Sequence, residues 1–442
     1  MSAPNLSRAT FKHGIHPQER KQVTRALPIE RMPFVKEYVV PLSMHLGAPS
    51  RPQVEVGQRV ERGDRIAAAE GYISTAAHAP VTGTVSAIEP RPHPSGTRLP
   101  AIVIRTDPFS NQQLGAQARV LPQGLSDQEL IGQVQAAGLV GLGGAAFPSH
   151  VKLQLAEGKR ARFVILNGCE CEPYLTCDHR LMLERAEAVL HGLAIIRDLV
   201  GAERSYIGVE KNKPDAIEAL RRAGVDDPGL QVVPLEVKYP QGAEKMLIDA
   251  IFKLEVPSGK LPIDLEMVVN NVGTAAALSD LIRSGMPLIE RVVTVSGTGI
   301  RRPANVLVPI GTPLKDLIEY CGGMLPRVRQ VILGGPMMGQ TQKSLEVPVV
   351  KGTSGVLVFT RSVPVIDEQP CIKCGRCLEA CAMFLNPSRL ALLVRSEDVD
   401  ALKQHHMTDC FECAACSYAC PSSIPLVQLM RVGKAMVRQA KS

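Results

Sequence analysis

Between about residues 125 and 290 the apolar positions alternate between two periods. Short runs rich in β-branched residues, Phe163 to Asn167, Ser205 to Val209, Gln231 to Val237 and Met267 to Asn270, predict strands. Between them His179 to Val200, closed by Gly201, and Pro214 to Ala223 space their apolar residues three and four apart and predict helices. Such alternation predicts an α/β layer with a mainly parallel sheet. Upstream, from about 30 to 105, short apolar runs are broken by turns: Val54-Glu-Val-Gly57-Gln-Arg-Val60, Gly63-Asp64-Arg-Ile66 and Ala79-Pro80-Val-Thr-Gly83-Thr-Val85. That spacing predicts a small all-β unit. Downstream, Val292 to Ser296, Ala304 to Val308 and Gln330 to Leu333 return to strand patterns around one helical stretch, Pro313 to Tyr320. The expected organisation is multidomain, α/β and α+β. It has a β-sandwich unit over 1–110, an α/β domain over 125–290, an α+β module over 291–360 and a helical, cysteine-dense domain over 361–442.

The chain's 442 residues give room for about three average domains. Apolar residues make up 45% and charged residues 21%, which excludes wholesale disorder. The longest charge-free stretch, Leu130 to Val151, is interrupted by glycines, a proline and glutamines and cannot face lipid as a helix. The start, Met1 to Lys21, is polar, with Pro4 and Pro17, and shows no targeting pattern; a cytosolic chain is expected. Net charge is +7 from 50 basic and 43 acidic residues, too mixed for a polynucleotide groove. Aromatics are only 4%, with no Trp to stack on bases, so no nucleic-acid partner is expected.

Eight of the twelve cysteines fall between 371 and 420. Cys371-x-x-Cys374-x-x-Cys377-x-x-x-Cys381 recurs as Cys410-x-x-Cys413-x-x-Cys416-x-x-x-Cys420, followed by Pro421. Three cysteines at this spacing wrap a loop so that each sulfur meets a different iron of a cubane, and the fourth comes from a distance. Zinc knots favour separated Cys-x-x-Cys pairs over an unbroken triple, and a disulfide framework conflicts with a cytosolic chain. The intervening 382–409, with Ser388 to Val394, fits a helix. An α-helical ferredoxin therefore suits the sequence better than the compact β type. By resemblance to two-cluster ferredoxins, the remote cysteine serves the other cluster. Cys371, Cys374, Cys377 and Cys420 would then hold one [4Fe-4S] cluster, and Cys410, Cys413, Cys416 and Cys381 the second.

Gly138-Leu-Val-Gly141-Leu-Gly143-Gly144-Ala145-Ala-Phe147-Pro148 contains a loose G-x-G-x-x-A. A dinucleotide fingerprint follows a strand and opens a helix, yet Ser126 to Ala137 reads as helical, so the Rossmann context fails. Two readings stay open: a backbone that approaches an anion, with Ser149 capping a short helix through Lys152, or a glycine-rich turn packed on the sheet. Asn167-Gly-Cys169-Glu170-Cys171-Glu172-Pro173 follows the Phe163 strand and puts polar groups at the carboxyl edge of the sheet, where α/β proteins bind ligands.

These motifs resemble known families. The N-terminal unit is similar to the lipoyl and biotinyl carrier domains, but Tyr72-Ile-Ser-Thr75 offers no lysine at the hairpin tip, so the barrel-sandwich fold is expected without the carrier chemistry. The two loops resemble the flavin site of the NADH-oxidising subunit of respiratory complex I. From about Phe11 onward the whole chain closely resembles the C subunits of the Rnf electron-transport complex. The resemblance implies a β-grasp, soluble-ligand-binding module after residue 290, and a site for FMN and NADH. Gly141, Gly143, Gly144 and Ala145 would line the flavin, with Lys152 nearby. Asn167, Cys169 and Glu170 would edge its ring, and Glu172 would stand beside the nicotinamide. Tyr239 and Glu244 would serve the dinucleotide pocket, and Asn270, Asn271 and Thr274 the phosphate loop. The chain departs from the complex I pattern at Leu142, which stands in place of an arginine, and at Cys169 and Cys171.

The implied function is that of a peripheral subunit on the cytoplasmic face of the bacterial inner membrane. It would oxidise NADH through FMN and pass single electrons over two [4Fe-4S] clusters to membrane and iron–sulfur subunits, with ferredoxin or flavodoxin engaged through other subunits. A flavin holds one electron or two and so converts a hydride into single transfers; no side chain need act as nucleophile or general base. The alternatives are a cobalamin reductase of a bacterial microcompartment and a passive module that keeps clusters without flavin. Cys321 reads as core, Cys169, Cys171 and Cys177 as packing, and His405 and His406 as surface groups. The basic tail carrying Arg431, Lys434, Arg438 and Lys441 reads as a solvated helix face, with membrane or partner contact as the alternative.

Overall fold

The protein is described from a computed structural model, which covers residues 9–115, 121–122, 124–360 and 367–440. The first eight residues of the polar start and Lys441 of the basic tail lie outside the described residues. The N-terminal unit is a sandwich of two antiparallel sheets. One runs Glu37–Pro41, Arg98–Thr106, Gly83–Pro92, Arg59–Val60; the other runs Arg51–Pro52, Arg65–Ala68, Ala77–His78. Tyr38, Val40, Ile66, Val85, Ile102 and Ile104 are fully buried between them. The turn around Tyr72, where a carrier domain presents its lysine, is pinned down. Gln135 Nε2 donates to the carbonyls of Gly71 and Ser74, and His150 Nε2 donates to that of Tyr72. Lys351, buried and carrying no acid partner in its hydrogen bonds, closes the seam by donating to Ala76 O and Gly138 O at 2.8 and 2.7 Å; burial pushes its ammonium down to about 7.

The central sheet is wholly parallel in the order Leu230–Leu235, Arg204–Glu210, Phe163–Asn167, Met267–Asn271. Its first strand in sequence lies inside and its fourth pairs on the far side, so the strand order reverses between Phe163–Asn167 and Met267–Asn271. The helical stretch expected over His179 to Val200 is two helices, Cys177–Glu184 and Ala186–Leu199, broken at Arg185. Arg185 turns its guanidinium onto Asp280 of the helix Val272–Ser284. That helix crosses Ala186–Leu199 so closely at Gly192 that a Cβ there would lie 1.8 Å from Ala275 O.

The third module is a six-stranded mixed sheet, Ile29–Arg31, Ala304–Pro309, Glu290–Ser296, Gly355–Phe359, Gln330–Leu333, Gln340–Thr341. Its first strand belongs to the N-terminal segment and pairs in parallel with Ala304–Pro309, a pairing that no local pattern announces. Cys321 is completely buried in its core. In the C-terminal domain the single helix expected over 382–409 is Pro387–Arg395 plus Val399–Gln404. Both pack with Leu426–Gln439 around Leu390, Leu402, Met407 and Met430. Arg431 and Lys434 of that last helix both reach Glu412, at 3.2 and 2.7 Å, so part of its basic face is spent inside the domain. No helix among the described residues is long and apolar enough to cross a membrane.

Candidate flavin and iron–sulfur site

Sheet register brings the candidate residues together. Asn167 and Asn271 end neighbouring strands and stand opposite each other, at the point where strand order reverses, which is where open α/β sheets leave a crevice for a ligand. Asn271 caps the helix Val272–Ser284 through Gly273 N–H at 2.8 Å and donates to Asp178 Oδ2 at 2.7 Å. Thr274, in the first turn, accepts from Leu142 N–H at 2.9 Å and ties the glycine loop to the helix start. A Cβ at Gly143 would lie 3.6 Å from Asn271 Cβ, and one at Gly144, where φ is +113°, would meet nothing within 4 Å. The loop therefore leaves a cradle over the helix N-terminus, where backbone N–H groups favour an anion. Ser149 does not cap the short helix that follows: the N-cap is Pro148, and the Ser149 hydroxyl is buried without a partner among the described residues.

On the other side of the crevice, Asn167 Nδ2 donates to Gly242 O at 2.8 Å and its Oδ1 accepts from Cys169 N–H at 3.0 Å. Cys171 Sγ accepts from Gly242 N–H at 3.3 Å. Lys152 Nζ bonds Glu244 Oε2 at 2.6 Å and Val269 O at 2.9 Å, so this expected pair of site residues meets directly. Behind the edge lies a buried charge cluster. Glu170 accepts from Asp178 N–H and from the Cys177 thiol, with Lys21 Nζ at 3.9 Å. Burial, then repulsion from Glu170, pushes Asp178 up to about 6. Burial likewise raises the thiols of Cys169 and Cys177 well above their ordinary range, leaving them protonated and unreactive.

Two expected residues are engaged elsewhere. Glu172 accepts from Met337 N–H and Met338 N–H at 3.0 and 2.9 Å, joining the central domain to the third module, and burial pushes its carboxyl up to about 7. Tyr239 is buried, and its hydroxyl donates to Cys413 O at 2.8 Å in the C-terminal domain. Both groups, expected beside the nicotinamide and in the dinucleotide pocket respectively, thus carry bonds that tie the central domain to its neighbours. Sequence reasoning passed over Lys21, Asp178 and Gln241. The first two carry no motif; Gln241 sat in view within Tyr239-Pro-Gln-Gly.

The edge fits a flavin. Among the described residues, Asn270 Nδ2 and both amide atoms of Gln241 are buried without a hydrogen-bond partner, and Glu170 Oε2 has only the Lys21 ammonium at 3.9 Å. Orphaned groups of this kind cost about 1–3 kcal/mol each, and a ring bearing donors and acceptors would relieve them.

The two cysteine loops share one backbone conformation. Lys373 and Gly375 have positive φ, as do Glu412 and Ala414 at the same places in the second loop, and Phe384 and Ser423 repeat the match after each fourth cysteine. Alternating left-handed residues coil the backbone of each loop in the same way. Cys381 joins Cys410, Cys413 and Cys416 in lining one pocket with Ala382, Leu385 and Met430, the crossed set expected from the resemblance. Burial, reinforced by the neighbouring cysteines, pushes Cys413 and Cys416 up to about 12. A cationic iron core is what allows such crowded thiols to ionise. Among the described residues no three His, Cys, Asp or Glu side chains converge as around a single ion, whereas a cubane needs its sulfurs spread about its corners.

Residues 134–280 match the Nuo51 FMN-binding domain, 9–108 the RnfC barrel sandwich hybrid domain, 292–341 the SLBB domain and 370–424 the 4Fe-4S dicluster domain. Fold and site thus define an electron-transfer flavoprotein whose cofactors are FMN and two [4Fe-4S] clusters. The chain is 44% identical over 398 residues to the C subunit of the proton-translocating ferredoxin:NAD(+) oxidoreductase complex of Clostridium ljungdahlii, covering 90% of this chain and 87% of that one. It is 43% identical over 431 residues to the C subunit of the Na(+)-translocating ferredoxin:NAD(+) oxidoreductase complex of Acetobacterium woodii, covering 97% of each. It is 42% identical over 444 residues to the C subunit of the ion-translocating oxidoreductase complex of Rhodobacter capsulatus, covering 99% of this chain and 85% of that one. The chain belongs to this family, the C subunits of the Rnf-type ion-translocating oxidoreductase complex.

Proposed function

We propose that this subunit is the NADH-oxidising input of its complex, delivering single electrons to membrane and iron–sulfur subunits that exchange them with ferredoxin or flavodoxin, from a peripheral position on the cytoplasmic face. The observation that carries the reading is the meeting of Asn167 and Asn271 at the strand-order reversal, beneath the open cradle of Gly143 and Gly144. When bound there, FMN supplies the exchange between a two-electron hydride and one-electron carriers.

The chain's own residues bind and orient. Gly141, Gly143, Gly144 and Ala145 present backbone to the flavin phosphate. The N-terminal turn at Asn271 and Thr274 adds partial positive charge, and Lys152, ion-paired with Glu244, offers ammonium N–H donors beside it. Asn167, Asn270 and Glu170, with Gln241, offer the polar atoms that match a ring edge. Cys381, Cys410, Cys413 and Cys416 hold one cluster, and Cys371, Cys374, Cys377 and Cys420 the other. Two of the relatives above are named for ferredoxin:NAD(+) oxidoreductase complexes, which supports NADH as the donor and ferredoxin as the remote partner.

Anaerobic NADH titration of the cofactor-loaded protein tests this. Bleaching of both the flavin and the cluster bands is expected. Bleaching by dithionite but not by NADH would refute the donor assignment.

A further inference from the structure

The two cysteine sets are chemically alike but placed differently in the chain. Among the described residues, three side-chain hydrogen bonds join the body of the protein to the cysteine loops, and all go to one set. Tyr239 Oη donates to Cys413 O at 2.8 Å. His13 Nδ1 donates to Cys381 O at 3.2 Å. Ser258 Oγ donates to Asp409, next to Cys410, at 2.6 Å. The Tyr239 ring is buried in an apolar cluster with Ile15, Ala380, Ala415, Cys171 and Cys413, and its own backbone is held by Ile15 through two 2.9 Å bonds. From there Gly242 connects to Cys171 Sγ and to Asn167 at the flavin edge. By contrast Cys371 and Cys374 are exposed, and Ile372 between them is 68% exposed.

We infer that Tyr239 is a positioning residue that latches the Cys410–Cys416 loop to the flavin edge, so that Cys381, Cys410, Cys413 and Cys416 form the inner cluster site and Cys371, Cys374, Cys377 and Cys420 the outer one. This rests on the crossed ligand sets proposed above and not on NADH as donor. Opening the inner loop requires the latch to break, whereas Cys371 and Cys374 of the outer set are exposed without any such step, although Cys377 and Cys420 are half-buried like the inner four. The hydroxyl does not hold a ligand; it fixes a loop, and through the loop a cluster.

The test is anaerobic iron release from the full cofactor-loaded chain to a water-soluble ferrous chelator, bathophenanthroline disulfonate, followed at the cluster absorbance. Two phases of equal amplitude are expected. Cys371→Ser with Cys374→Ser should leave half the iron and only the slow phase; Cys413→Ser should leave half the iron and only the fast phase. Cys420→Ser and Cys381→Ser, which remove the remote ligands, should repeat the two patterns and guard against a misfolded variant. Tyr239→Phe leaves Cys413 O without its donor. It should speed the slow phase alone, about five- to a hundredfold for the loss of one buried hydrogen bond, and shift the electron paramagnetic resonance signal of the cluster that survives in the Cys371/Cys374 variant. Acceleration of the fast phase instead, or a slow phase that persists in Cys413→Ser, would overturn the order of the sites. Loss of all iron in every single-set variant would overturn the ligand sets beneath it, with NADH bleaching of the flavin untouched by that result.

Discussion

Replacing Thr274 by Val removes one oxygen and keeps volume and branching. The oxygen is the acceptor for Leu142 N–H at 2.9 Å, and Thr274 is 2% exposed. A buried N–H left unpaired costs about 1–3 kcal/mol. If the glycine loop stays in place, the whole cost appears as lost stability. If the loop swings out until Leu142 reaches water, the cost moves to FMN binding, because the ligand must draw the loop back; about 1–3 kcal/mol corresponds to a roughly five- to 150-fold weaker Kd. The two losses should therefore add to about the same total, whichever way the loop responds. Urea unfolding of the FMN-free protein and flavin fluorescence quenching measure them separately, and Thr274→Ser, which keeps the oxygen, should restore most of both. Unchanged stability together with an FMN affinity within about twofold of the parent would refute the idea that this bond holds the cradle.

Gly144→Ala should weaken FMN binding more than stability. The φ of +113° strains any side chain by about 1–3 kcal/mol, and the added methyl enters the open cradle rather than a packed neighbour; calorimetry with FMN separates the two effects. Gly192→Ala should do the reverse, since its Cβ would collide with the Ala275 backbone at the helix crossing; we expect about 3 kcal/mol or more of lost stability in urea, or insoluble protein. Glu172 carries a pH signature. Its folded pKa of about 7 lies above the ordinary 4.5, so its contribution is full below about pH 4.5 and is lost as pH rises through 7. That loss is at most about 3 kcal/mol, less what residual water screens. Glu172→Gln should flatten this limb of the stability profile, and an unchanged slope between about pH 5 and 7.5 would count against it.

The strand Phe163–Asn167 was legible because a run of apolar residues buried on both faces has few alternatives, and the helix Pro214–Ala223 because its proline start and amphipathic spacing agree. The cysteine loops were legible for a different reason: ligand spacing is dictated by the cluster and not by the fold. Other elements were hidden. Pro90, Pro92 and Pro100 break the strand pattern of Gly83–Pro92 and Arg98–Thr106, yet those strands pair from end to end apart from one register shift between Val85 and Ala87. The break at Arg185 answers to Asp280, nearly a hundred residues away. At the site, the residue types were visible and their partners were not. Glu172 and Tyr239 look like ligand-facing groups in one dimension; only folding brings Met337, Met338 and Cys413 against them. Lys21, in a polar stretch without periodicity, gives no hint that it is buried beside Glu170.

The leading segment is woven through the rest of the molecule: Ile15 bridges to Tyr239, and Ile29–Arg31 completes a sheet with Ala304–Pro309. On the ribosome Ile15 leaves 224 residues ahead of Tyr239 (239 − 15), and Ile29 leaves 276 ahead of its partner Asn305 (305 − 29). The nascent chain therefore carries an unpaired edge for most of its synthesis, and shortening its front end, even with every cysteine and glycine intact, would unstitch modules far along the chain.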